Sequence, residues 1–296
     1  MLVRVSVVIP AYDAEKTLGD CLRALGTQSV PRKDFEIIVV DDGSRDRTSE
    51  VAERFGARVI RRSNGGPAAA RNTGWHEAYG RWVAFTDADC VPARTWLAEL
   101  LRAVEGPAEE APALGAAGRT VGFDSKTPAA RYVDLTGGLD AERHLSHPRF
   151  PFAPSGNVMY RRDALLACAG FDERYRAYEA CELHQRIRRR DGGRFVYTAR
   201  AVVLHRHRTT WAAYWRQQYG YGVGYAQFMW HQASRIGWSV ADELRAWGDV
   251  VVAGLRACRP GNSEQRLLER GTFVKRLAQR TAFVATYWNI AERARW

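Results

Sequence analysis

The sequence predicts an α/β protein: a mostly parallel sheet with helices on both faces, followed by a helical carboxy-terminal extension. Three observations predict it. Short apolar, β-branched runs recur at residues 3–9, 37–40, 58–60 and 82–85. Each is followed by a polar turn and then by a stretch with helical spacing. Past His207 the strand-like runs stop and the pattern turns helical and aromatic. Repetition of strand, turn and helix is the pattern of parallel strands joined by helical crossovers.

The first run is read as stopping at Pro10, and Leu18, Leu22 and Leu25 mark a helix over 14–25. The second ends in Asp41-Asp42-Gly43-Ser44 and leads to a helix closed by Gly56. The third passes through Asn64-Gly65-Gly66-Pro67 into an alanine-rich helix ending near Gly80, and the fourth delivers Thr86-Asp87-Ala88-Asp89, after which Pro92 is read as opening a helix. Residues 106–154 read as Pro- and Gly-bearing loops with a strand near 114–123. Helices over 162–169 and 179–190 and strands over 195–197 and 201–204 complete a first domain of residues 1–208. Residues 209–296 form a basic, Trp-rich helical region.

Length and composition set bounds. With 296 residues, 46% hydrophobic and 26% charged, the chain is globular and long enough for a sizeable core. The net charge of +11 is concentrated: from His205 onward 14 Lys/Arg face 6 Asp/Glu, a net of +8. Such a tail suits an anionic membrane surface or an acidic acceptor, or else is a solvated face. No zinc-finger or RNA-recognition motif accompanies it, so no nucleic-acid partner is expected. Cys21, Cys90, Cys168, Cys181 and Cys258 are odd in number and scattered, which reads as reduced thiols. The apolar start MLVRVSVVIP lacks a basic n-region and reads as a core strand. No apolar run reaches the roughly 18 residues a membrane span needs. The expected location is the cytoplasm, with peripheral contact at the inner face of the cell membrane as an option.

In open α/β sheets ligands bind beyond the carboxyl ends of the strands. The polar clusters at 10–13, 41–44, 63–66 and 86–89 all fall there. Asp87 and Asp89, two residues apart at the end of a buried strand, can share one hard cation such as Mg²⁺ or Mn²⁺ with a phosphate. Taken alone, each feature has a plainer reading: a solvated turn for Asp87-Ala88-Asp89, a helix cap for Asp41-Asp42-Gly43-Ser44, a loop for Gly65-Gly66, and core packing for Tyr12.

Read together, the segments are more specific. VSVVIPAYD at 5–13, VVDDGS at 39–44, NGGPAAARN at 64–72 and DAD at 87–89 are followed by Gly156-Asn157 leading into Arg161-Arg162. GFDE at 170–173 and the stretch from Glu179 to Arg186 come next. The series, over residues 3–210, resembles the family 2 glycosyltransferases of the GT-A fold, a Rossmann-like α/β architecture. The resemblance implies an inverting, metal-dependent glycosyltransferase that moves a sugar from a nucleoside-diphosphate donor to an acceptor hydroxyl, in glycan, polysaccharide or glycolipid synthesis for the cell envelope. It implies a donor site of Pro10, Tyr12, Asp41, Asp42, Asn64, Gly65, Arg71, Asp87 and Asp89. Tyr12 would lie against the base, and Asp41 or Asp42 would accept an imide N–H, favouring UDP or dTDP. Arg71 would lie at the base or the phosphates. Asp89, Asp87 and His205 would hold Mg²⁺ or Mn²⁺, although His205 also reads as a packed or solvated strand end. A sugar-1-phosphate nucleotidyltransferase would carry a Gly-rich basic loop after the first strand, and Pro10-Ala11-Tyr12-Asp13 is not one.

One position departs from the family. An inverting transfer needs a base for the acceptor proton, and the aspartate that usually provides it is replaced by Ala180. Either Glu179 or Glu182 takes over, three apart on one helix face, or the alanine was introduced to trap a complex, or the protein binds a sugar nucleotide without transferring it. Glu179 adjoins the altered position and is the first choice. The carboxy-terminal aromatics Trp211, Trp215, Trp230, Trp238, Trp247, Trp288 and Trp296, with Tyr214, Tyr219, Tyr221 and Tyr225, suit an acceptor channel, a membrane interface, or packing, including a homodimer.

Overall fold

Five consecutive buried residues, Val5 to Ile9, make β1 (Val5–Ala11) a strand covered on both faces. The computed structural model describes residues 3–106, 113–236 and 239–293; Trp238 and Trp296 lie outside the described residues. The chain divides into two compact units. The first is Met1–Phe123, Leu139–Arg174 and Glu179–Arg206, and the second is Asp124–Gly138, Tyr175–Tyr178 and His207–Trp296.

In the first unit β1, β2 (Phe35–Asp41), β3 (Arg58–Arg61) and β4 (Trp82–Thr86) alternate with α1 (Leu18–Gly26), α2 (Thr48–Arg54) and α3 (Pro67–His76). Then follow β5 (Cys90–Pro92), α4 (Trp96–Val104) and β6 (Ala113–Gly122). In the second unit lies α5 (Pro128–Leu135), and the chain returns through α6 (Ala141–Leu145), β7 (Asn157–Arg161), α7 (Arg162–Ala167), α8 (Glu179–Asp191) and β8 (Arg194–His205). The eight strands lie in the order β3-β2-β1-β4-β7-β6-β8-β5. The four at the β3 side are parallel, β7 is antiparallel to both β4 and β6, β6 and β8 are parallel, and β5 is antiparallel to β8. Two apolar layers cover the sheet. Val5, Val7 and Ile9 pack with α1, α2 and α4, whereas Val8, Ile38 and Val40 pack with α3, α7 and α8. The α/β expectation holds.

Several local expectations do not. Pro10 does not end β1, whose register with β2 runs on to Ala11 opposite Asp41. Pairing with β4 reaches only Val8, so the missing N–H of Pro10 costs no bond on that side. Pro92 closes the short edge strand β5, and α4 starts four residues later. The predicted loops of 106–154 contain α5 and α6, and the two predicted strands at 195–197 and 201–204 are one strand, β8, whose pairing with β6 is irregular at Gly118 and Arg119.

The second unit holds the helical extension: α9 (Trp211–Ile236), α10 (Val240–Ala257) and α11 (Ser263–Arg293), with α5. Tyr132 of α5 stacks edge-on to Tyr214 of α9, and Tyr225 of α9 meets Phe283 of α11. Gly222 allows α9 and α11 to close, because a Cβ there would lie 2.3 Å from the Gln279 carbonyl. Ser239 and Asp242 cap α10 reciprocally.

Candidate active site at the carboxyl edge of the sheet

Parallel β1–β4 bring their following turns to one edge, and side chains lace those turns together. Asp13 N–H donates to Ser44 Oγ at 3.0 Å, and Asp13 Oδ1 accepts from Arg45 N–H at 2.8 Å. Asp42 is buried; its carboxylate accepts the amides of Gly65 (2.9 Å) and Gly66 (2.7 Å) and lies 3.3 Å from Arg62 Nε. Gly66 sits at φ +93°, a conformation that requires glycine. The amides before α3 therefore hold an anion from within the chain, the Asp42 carboxylate. Asp41 accepts from Ser44 N–H at 2.8 Å and from the Ser49 hydroxyl. Burial pushes the Asp41 carboxyl up, but the hydrogen bonds from Ser44 and Ser49 outweigh it and leave the group below its ordinary value. A cleft beside this turn is lined by Asp41, Ser44, Arg61 and Arg62 among others. Tyr12 is 46% exposed, so it is no core side chain, and Asn64 is also exposed, while Pro10 and Gly65 are half-buried.

At the end of β4 the geometry turns on Arg71. Its buried guanidinium donates to Asp87 Oδ1 at 2.7 Å and to Glu179 Oε1 at 2.9 Å. Burial lowers the basicity of Arg71, yet the two carboxylates more than compensate and raise it. Ser155 Oγ lies 3.5 Å from the same Glu179 oxygen. Both contacts fall on Oε1. Gly156 is pressed against Asp87, where a Cβ would come within 2.9 Å of Oδ2. Glu182 has a different partner, since Arg186 binds both its oxygens at 2.7 and 2.6 Å and also the carbonyls of Cys168 and Gly170. The two glutamates that sequence spacing groups together are thus separated by their arginines.

Asp89 and His205 meet through strand pairing. Cys90 lies opposite His205 in the β5–β8 register, and Arg206 N–H donates to the Asp89 carbonyl at 3.1 Å. This brings His205 Nε2 to 3.5 Å from Asp89 Oδ1, and one ligand atom each of Asp89, Cys90 and His205 lie within 4.8 Å of one another. Burial, reinforced by the charges of Asp87 and Asp89, holds the Cys90 thiol well above its usual range, hence neutral. The Asp89 carboxylate is a hard oxygen donor that fits Mn²⁺ or Mg²⁺, and the imidazole nitrogen beside it tilts the set toward the transition metal, Mn²⁺.

Sequence reasoning missed the residues that hold this arrangement. Asn72 Nδ2 donates to the Phe171 carbonyl and to Glu173, and its Oδ1 accepts from Trp75 and from Phe171 N–H. The Gly170 turn, at φ +65°, is thereby fastened against α3. Asn157 accepts from the Trp96 indole and donates to the carbonyls of Arg119 and Ala201. A polar residue beside Arg71 in an otherwise alanine-rich helix is the signal that could have found Asn72; Asn157, on β7, carries no such mark.

A model described as Glycosyl transferase family 2 matches residues 6–167, more than half of the chain. The chain belongs to this family. It is a glycosyltransferase with a GT-A-like α/β fold and a helical carboxy-terminal region. Glycosyltransferase AglE of Haloferax volcanii is 27% identical over 300 residues, 98% of this chain and 94% of the relative. A solved mannosyltransferase from Pyrobaculum calidifontis, in complex with GDP-Man and Mn²⁺, superposes with a TM-score of 0.68 at 19% identity, covering 98% of this chain and 88% of the other. Glucosyl-3-phosphoglycerate synthase from Mycobacterium tuberculosis, with Mn²⁺ and UDP, gives a TM-score of 0.54 at 20% identity over 77% of this chain and 79% of the other. At these identities the two solved structures bear on the fold. No described helix is long and apolar enough to cross a membrane.

Proposed function

We propose that this family 2 member is an inverting, metal-dependent glycosyltransferase that takes a sugar from a nucleoside-diphosphate donor and transfers it to an acceptor hydroxyl. The observation that carries the reading is the pairing of Asp89 with His205, 3.5 Å apart at the edge to which the β1–β4 turns converge. Asp89 and His205 would hold the divalent ion, with Asp87 next to them; bound there, it supplies the positive charge that offsets charge building on the departing diphosphate. Asp41, beside the cleft, accepts an N–H of the base, and the exposed Tyr12 ring stacks on it. A carboxylate reads an imide N–H in uracil or thymine, which makes UDP and dTDP the first choice, but guanine also offers a ring N–H and GDP is the competitor to test.

Glu179 supports the role of base better than Glu182 does. Arg71 and Ser155 both meet its Oε1, which leaves Oε2 for an acceptor, whereas both Glu182 oxygens are bound by Arg186. The acceptor oxygen attacks the anomeric carbon as its proton passes to Glu179, and the bond from that carbon to the diphosphate oxygen breaks. Titration calorimetry with UDP, dTDP and GDP, with and without Mn²⁺ or Mg²⁺, tests the site. Asp89→Ala should weaken metal-dependent binding by about 100-fold at an unchanged melting temperature. Glu179→Gln should keep donor binding while turnover falls by about 100-fold or more. Metal-dependent affinity unchanged in Asp89→Ala would overturn the reading.

A further inference from the structure

Helix α10 is apolar on the wrong side. Its inward face is built from small or medium residues such as Val250 and Ala253, whereas Leu244, Val251, Val252 and Leu255 are 68%, 60%, 43% and 64% exposed. At 100° per residue these four, with Gly248, fall within one stripe about 100° wide. A solvated helix face ordinarily carries charge, and a helix apolar on its outward stripe as well as its inward face is ordinarily covered on both.

The charges around the stripe say by what. Arg245 and Arg256 border one edge and Arg259 continues it beyond the helix end, all exposed; Arg245 also lies 3.3 Å from Asp242 of the same helix, so Arg256 and Arg259 set the positive sign of the border. Asp249 lies further round and sits 3.9 Å from Arg276. A second copy docked antiparallel on this stripe across a two-fold axis would set Arg245 against Arg256 of the other copy, which repel. A surface of lipid phosphates neutralises them, and each arginine held near an anionic leaflet strengthens binding roughly five-fold. The 18-residue helix carries Asp242, Glu243, Arg245, Asp249 and Arg256 and is not apolar enough to cross a bilayer. It can lie in the headgroup layer.

We propose that the outward stripe of α10, Leu244-Val251-Val252-Leu255 with its arginine border, docks this protein on an anionic membrane surface. The stripe shares no residue with the proposed donor site, so the proposal stands or falls independently of the donor and the base. It is tested by flotation of the full chain with vesicles of phosphatidylcholine alone and of phosphatidylcholine mixed with phosphatidylglycerol. The chain should float with the mixed vesicles, stay behind with the neutral ones, and be released by high salt. Leu244→Gln/Val251→Gln/Leu255→Gln should reduce flotation about 10-fold or more, and Arg245→Gln/Arg256→Gln by a similar factor. Melting temperature and nucleotide binding should be unchanged in both, because every altered side chain is exposed. Failure of the wild type to float, or flotation of the triple variant equal to wild type, would overturn the proposal. So would a wild-type dimer in sedimentation that the triple variant dissociates without loss of flotation, which would make the stripe a contact between copies.

Discussion

Arg71 spends its guanidinium on carboxylates that reach it from distant parts of the sequence, Asp87 after β4 and Glu179 at the start of α8. The Glu179 side chain is 10% exposed and that of Asp87 31%, so removing the arginine strands one buried charge and one shielded by water. Arg71→Met should therefore cost about 3 kcal/mol in urea unfolding. Adding Glu179→Gln should recover part of this, with a coupling of about 1–3 kcal/mol in the double-mutant cycle. Additive effects would show that the ion pair does not join the two ends. Sequence reading located Arg71, because the NGGPAAARN run marks it, and placed it at the donor's base or phosphates; its ion pairs with Asp87 and Glu179 were not part of that reading. Its partners lie 16 and 108 residues away, and no local spacing encodes such a link. Asp41 and Asp42 were legible as strand-end acids. That Asp42 fastens the Gly65-Gly66 amides depends on how closely β2 and β3 bring their turns, which only the fold supplies.

At the scale of the element, α8 carries more than the candidate base. Its inward face includes Leu183, Ile187 and His184, the last 2% exposed and edge-on to Phe195 at 4.7 Å. Burial, helped by the charge of Arg188, pushes the His184 pKa from 6.5 to about 3. A depressed histidine pKa favours the neutral ring in the folded state. Below pH 6.5 the unfolded chain takes up a proton that the folded chain refuses, so stability falls from 6.5 down to about 3. The loss over that window is on the order of a few kcal/mol. Melts of His184→Leu across this range should show a flatter acid limb than wild type, and an identical acid limb would mean another group governs it. The helix was legible from its spacing. Strand β7 was not: five residues long, it passes directly into α7 with no Gly or Pro between them, so no turn signal marks where the strand ends and the helix begins. Strands β1, β2 and β4 were read correctly because burial on both faces forces nearly continuous apolar runs.

Across the whole molecule, the meeting of Asp89 and His205 shows what the fold adds: the family resemblance named both as candidate ligands, but no local spacing brings them together. Asp89 stands out as part of a strand-end triplet, but His205 becomes its neighbour only because β5 returns antiparallel to β8 at the sheet edge. The reversal at β7 has another outcome. Since β7 runs against both β4 and β6, the chain departs from the sheet after Gly122 and rejoins it at Asn157 on the same edge where β4 ends at Thr86. Everything between those two points is an insert whose two ends are both tethered to the sheet edge. Doubling the length of such an insert costs only about 0.6 kcal/mol in loop closure, and no strand need shift to accommodate it. Within this architecture, evolution can exchange that cassette wholesale while the strands at either end of it are inherited intact.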